Sequence, residues 1–179
     1  MKLPPGVPRY LLIGQVIIPF FINIVVNTVL GVLAFHDRDA VMTWSFDKGA
    51  VADSIGTCFF LPFITCLIAT PIVRRQVAQG VVNPIPAADL PIWMQHLSGP
   101  MLLRALKVGA SGIVLLAGPV YGVYWLCAGE SIETVRFIVI KAISAGVFGI
   151  FVTPLIAVLA LADQTKSRPF SPEIGDRLA

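Results

Sequence analysis

An all-α membrane protein with four transmembrane helices is the fold this sequence predicts, on three observations. The chain is 56% hydrophobic and only 13% charged, with a mean hydropathy of +0.85, whereas soluble domains carry about 25% charged residues. A soluble chain of this length has too little interior to hide that much apolar surface. Four runs, residues 10–35, 51–73, 108–127 and 137–162, each reach the roughly 20 mostly apolar residues that cross a bilayer at 1.5 Å per residue. The basic residues, finally, divide unequally between the segments that join those runs.

The first run follows Lys2 and Arg9, as the core of a signal peptide would. Its apolar stretch is longer than the roughly 7 to 15 residues of such a core, and "LAFHDRD" offers no small-x-small cleavage site, so it is expected to be a retained span. Within it Gln15, Pro19, Asn23, Asn27 and Gly31 recur every four residues and share one helix face. The asparagine amides are costly to bury unpaired, and Pro19 lacks the N–H that would pair with the Gln15 carbonyl. Two readings stay open for Gln15, Asn23 and Asn27: contact with another helix, or the lining of a path for a polar solute.

The loop that follows gathers His36, Asp37 and Asp39 in "HDRD". Residues so close in sequence lack the spread of a metal shell, and a solvated loop is expected. The second run repeats the four-residue spacing with Ser54, Cys58, Pro62, Cys66 and Thr70, and leaves the membrane at "PIVRRQV". The linker 81–107 holds Pro84, Pro86, Pro91 and Pro100, which forbid one continuous helix. Its second half mixes Trp93, Met94 and Leu97 with His96 and Arg104, a composition suited to the membrane interface. The third run carries Gly118 and Gly122, and the fourth Gly146 and Gly149, so small-residue packing is expected through Gly31, Gly118, Gly122, Gly146 and Gly149. Lys141, just inside the fourth run, either snorkels outward or pairs with Asp53 at the facing end of the second. Residues 163–179 form a polar tail.

The spans group as two related helical hairpins, residues 1–80 and 108–162. "NTVLGVLA" from Asn27 sets against "GPVYGVYW" from Gly118, and "PFITCLIA" from Pro62 against "PLIAVLAL" from Pro154, at nearly constant offset. Two spans per unit make such repeats parallel, related by an axis along the membrane normal. With its paired spans, the proline inside the second and the "PIVRRQV" exit, the stretch 10–80 resembles small bacterial inner-membrane proteins of unknown function built from two-helix units. That resemblance implies an architecture and an inner-membrane location, and no chemistry.

Cys58, Cys66 and Cys127 are odd in number, imply no disulfide framework, and are expected as packing residues. No nucleophile elbow, P-loop, zinc spacing or dinucleotide fingerprint occurs. His36 and His96 fall on opposite sides of the predicted membrane. The expected role is therefore non-enzymatic, without metal or cofactor: packing through small-residue faces into a homo-oligomer or a larger membrane complex. The alternative is a small oligomeric channel or transporter whose path is lined by Gln15, Asn23 and Asn27. A basic rim facing anionic lipid accounts for the net charge of +3 without nucleic acid.

Orientation follows from that rim. With both termini cytoplasmic, the inner side holds Lys2, Arg9, Arg74, Arg75, Arg104, Lys107, Lys166, Arg168 and Arg177, and the outer side only Arg38, Lys48, Arg136 and Lys141. This is the positive-inside distribution. A reporter active only in the cytoplasm should therefore give signal when inserted after Gly80 and none when inserted near Asp47; the reverse pattern overturns the orientation.

Overall fold

The structure, a computed structural model, describes residue 4 and residues 6–167 of the chain; the tail beyond Ser167 lies outside the described residues. Four helices among them are long and apolar enough to cross a membrane: α1 (Val7–Phe35), α2 (Ala50–Ala78), α4 (Met101–Cys127) and α5 (Thr134–Ser167). A short helix α3 (Ile92–Leu97) lies in the linker, and strands β1 (Ala40–Met42) and β2 (Ser131–Glu133) lie in the two loops at the opposite end.

The hairpins interlock instead of standing side by side. α1 packs on α5, α4 packs on α2, and α2 and α5 pack on each other, so the first helix of each hairpin leans on the second helix of the other. Burial follows this order: the apolar window of α5 is 72% buried and that of α1 only 11%. A helix apolar on all sides belongs at the centre of such a bundle. α5 fits this, with Ile156–Ala162 an unbroken buried run.

Glycines set the closest crossings. A Cβ at Gly112 would overlap the carbonyl of Cys58, and one at Gly109 would lie 2.9 Å from the Phe59 ring, so α4 meets α2 at these two positions. The Cys58 carbonyl is the one that Pro62 deprives of its helical N–H. The bare Gly112 backbone covers it. On the other side of the bundle, a Cβ at Gly146 would meet Ile24 at 2.8 Å, one at Gly149 the Asn23 amide at 2.5 Å, and one at Gly31 Ile138 at 3.1 Å. Gly31, Gly146 and Gly149 thus lie in the α1–α5 contact.

Gly118 and Gly122 lie outside these crossings, since among the described residues nothing stands within 4 Å of a Cβ at either. Six residues separate Gly118 from Gly112, which turns it about 120° off the packed face. The match of Gly122 to Gly31 in the repeat is therefore not an equivalence of packing.

The ends are tied by polar contacts between residues far apart in sequence. At one end Asp163 of α5 takes two arginines: Oδ2 accepts from Arg74 Nη2 (2.7 Å) on α2, and Oδ1 from Arg104 Nη2 (2.6 Å) on α4. Arg104 is fully buried, and its Nε and Nη1 have no partner among the described residues. At the other end Lys141 Nζ of α5 lies 2.5 Å from Asp53 Oδ2 of α2, so Lys141 pairs and does not snorkel. Ser54 and Tyr124 join hydroxyls beside it at 2.9 Å.

The loops close both ends. β1 and β2 pair antiparallel in the register Ala40 to Glu133, Val41 to Ile132 and Met42 to Ser131, burying Val41 and Ile132. Thr134 extends the join, its N–H donating to the Asp39 carbonyl and its hydroxyl to that of Arg38. At the arginine end Gly80, at φ 73°, closes α2 in a Schellman motif, with Gly80 N–H on the Val77 carbonyl and Val81 N–H on that of Gln76. The linker then folds back, burying Val82, Ile85, Leu90 and Met94 against Val7 and the end of α5. α3 keeps Ile92 and Trp93 exposed, as an interfacial helix does. α4 begins at Met101, ahead of the expected span boundary at Val108, and its first turns carry Arg104 into the bundle.

Two measurements check this packing. Gly112→Leu should destabilise the protein in detergent by about 1–3 kcal/mol through overpacking, while Gly118→Leu should stay within about 0.5 kcal/mol. Asp163→Asn, which leaves two arginines unpaired, should cost about 3–5 kcal/mol. Asp37→Asn, which removes only the exposed 4.0 Å pair with Arg38, should cost about 0–1 kcal/mol.

Candidate functional site

The polar stripe of α1 begins in an irregular turn. Residues Leu11–Ile17 form a π-helix that ends with the Ile18 N–H on the Ile13 carbonyl, just before Pro19. The wider π turn makes room where the proline ring would otherwise crowd the carbonyl of Gln15, four residues back. Gln15 is thereby turned inward and buried. Its Nε2 donates to the Tyr10 hydroxyl at 2.9 Å, and that hydroxyl donates to Gln76 Oε1 of α2 at 2.6 Å.

Beyond this bridge α1 and α2 part. Both rest on α5 at their backs, and between them runs a groove with a cavity of about 400 Å³, lined by Gln15 and Asn23 of α1, Thr65, Ala69 and Gln76 of α2, and Thr153 of α5. A second cavity of about 160 Å³ continues it past Asn27 and Thr57 to Lys141. Asn23, Val26, Ile64 and Thr65 border both, so the two form one groove. Its lips are apolar and exposed, with Ile18, Ile22 and Val26 on α1 facing Ile64, Ile68 and Ile72 on α2.

The three stripe residues therefore share one place, the floor of this groove. The amides of Asn23 and Asn27 bond within their own helix. Asn23 Nδ2 donates to the Pro19 carbonyl at 2.8 Å, and Asn27 Nδ2 to that of Asn23 at 3.0 Å. Among the described residues neither asparagine makes a hydrogen bond to another helix. Asn23 does touch one, its amide lying against Gly149.

Other residues of the groove escaped sequence reading. The stripe of α2 that spacing picks out, Ser54 to Thr70, is buried toward the bundle, while Thr57 and Thr65, on a neighbouring face, reach the groove. Thr153 is buried, and its hydroxyl has no partner among the described residues. Tyr10 and Gln76 lie 66 residues apart and carry no spacing that would join them. No spacing in the sequence points to these residues, because the groove depends on which helices pack.

The remaining candidates lie elsewhere. The "HDRD" loop serves the strand join through its carbonyls, and His36 Nδ1 lies 3.3 Å from the Leu33 carbonyl. Among the described residues no group of three or more His, Cys, Asp and Glu side chains is placed to hold a metal ion. Cys58 and Cys66 are buried and Cys127 is exposed, all as free thiols. Compared with known proteins, the chain matches no protein-family model, no curated protein and no solved structure.

Proposed function

We propose that this chain is a non-enzymatic multi-pass protein of the bacterial inner membrane, with its arginine end cytoplasmic, and that it works through the α1–α2 groove as a path for polar groups. The observation that carries this reading is the placement of Gln15, Asn23 and Asn27 together with Thr65 and Thr153 along one groove between α1 and α2. Polar side chains within a span that border a cavity mark function.

A second reading, association into a homo-oligomer or larger complex, draws on Gly118 and Gly122. Their open surface on α4 is what a close helix crossing with another chain uses.

Single cysteines at 23, 27 and 25, in a background lacking the three native thiols, separate the two readings. In sealed membranes a membrane-impermeant thiol reagent should label positions 23 and 27 and spare 25, since Val25 is exposed on the lipid side of α1. Protection at both 23 and 27 would retire the path and leave the packing reading.

A further inference from the structure

Building on that reading of the groove, we propose that its cargo is the zwitterionic headgroup of a bilayer phospholipid, which moves along the floor from one membrane face to the other while its tails remain in the surrounding hydrocarbon.

Three observations point to this class of occupant. The first is depth. Asp53 and Arg74 mark the two ends of α2, and along the helix axis Thr65 stands about 18 Å from the first and about 14 Å from the second. Thr65 and its neighbours across the groove, Asn23 and Thr153, thus lie near the middle of a hydrocarbon layer about 30 Å thick. With the Tyr10–Gln76 bridge at one mouth and Asn27, Thr57 and Lys141 toward the other, hydrogen-bonding groups recur along the full depth of the membrane. A site that merely held one ligand would concentrate them at one level.

The second observation is the lateral opening. The lips are rows of exposed isoleucine and valine with no helix across them, so a polar head can enter the groove with its acyl chains still attached and still in lipid. A pore for a free solute needs a closed wall, which one chain does not supply.

Charge is the third. The polar groups along the groove are amides and hydroxyls set among apolar side chains, and Lys141, the ionic group lining it among the described residues, is paired with Asp53. Amides and hydroxyls offer both donors and acceptors, which suits a head carrying a phosphate and an ammonium together. A head with net negative charge would find no compensating cation at the middle of the path.

The test reconstitutes the full chain into phosphatidylcholine vesicles with a trace of phosphatidylcholine bearing a reducible fluorophore on one acyl chain, and adds dithionite outside. Bleaching of both leaflets is expected, where protein-free vesicles lose only the outer-leaflet signal. Bleaching confined to the outer leaflet overturns the proposal. A soluble fluorophore trapped inside should survive; its loss would mean that free anions pass, and would overturn the proposal as well. Ala69→Phe, which fills the groove from α2, should abolish inner-leaflet bleaching, and Thr65→Val should slow it. Val114→Ala, on the lipid face of α4, should leave it unchanged; equal rates in all three variants, each confirmed folded by its melting transition, would overturn the route. A probe with a phosphatidylglycerol head should move more slowly, and equal rates for the two heads would overturn the assignment of the zwitterion. Thiol labelling at 23 and 27 without lipid movement rejects this cargo and leaves the groove as a polar path, whereas protection at both positions rejects both.

Discussion

The central pair α2 and α5 is locked by opposite charges at both ends, and the rest of the bundle is arranged around that lock. α2 carries Asp53 at one end and Arg74 at the other; α5 answers with Lys141 and Asp163. The pairs join like ends, so the two helices run parallel. A slip of one turn, about 5.4 Å, would break both pairs at once and strand buried charge, which is costly wherever water is scarce. Arg104 depends on the same carboxylate as Arg74, so the lock also brings in α4.

With α2 and α5 set against each other, the outer helices have different fates. α4 lies close to α2 because Gly109 and Gly112 admit its backbone. α1 is held through α5, by the contacts at Gly31, Gly146 and Gly149, and meets α2 through the hydrogen bond from the Tyr10 hydroxyl to Gln76. In the second hairpin, Val120, Tyr124 and Phe148 line a cavity of about 10 Å³ beside Ser54 and Lys141. In the first, Gly14, Asn23, Thr65 and Ala69 leave about 400 Å³. The two helix pairs thus share a packing order and differ in their side chains. Val114 and Gly118, which stand at the repeat offset from Asn23 and Asn27, face outward.

The prolines contribute more to this arrangement than kinks. Each removes a backbone donor inside a span, and in lipid the freed carbonyl must be covered or satisfied by neighbours. At Pro62 the cover is the bare backbone of Gly112. At Pro19 the helix widens into a π turn, and that turn carries Gln15 inward to begin the hydrogen-bonded bridge across the mouth of the groove. One proline therefore tightens a helix contact and another helps to open a groove.

What the sequence alone determined is the class of molecule and the number of its spans, because total apolar content and the length of apolar runs follow from composition and local order. It also placed Gln15, Asn23 and Asn27 on one face, since a four-residue period needs only helix geometry. Which helix each face meets was decided by the tertiary structure. In lipid an apolar side chain is as well solvated against acyl chains as against another helix, so hydropathy does not separate the buried face of α4 at Gly112 from its open face at Gly118. Neighbours are selected instead by close fit at a few glycines and by ion pairs such as Arg104 with Asp163, 59 residues apart. No local pattern joins such residues, and the strand pairing of Val41 with Ile132 escaped for the same reason. The groove is a consequence of those choices: it exists because α1 and α2 both rest on α5 without packing on each other.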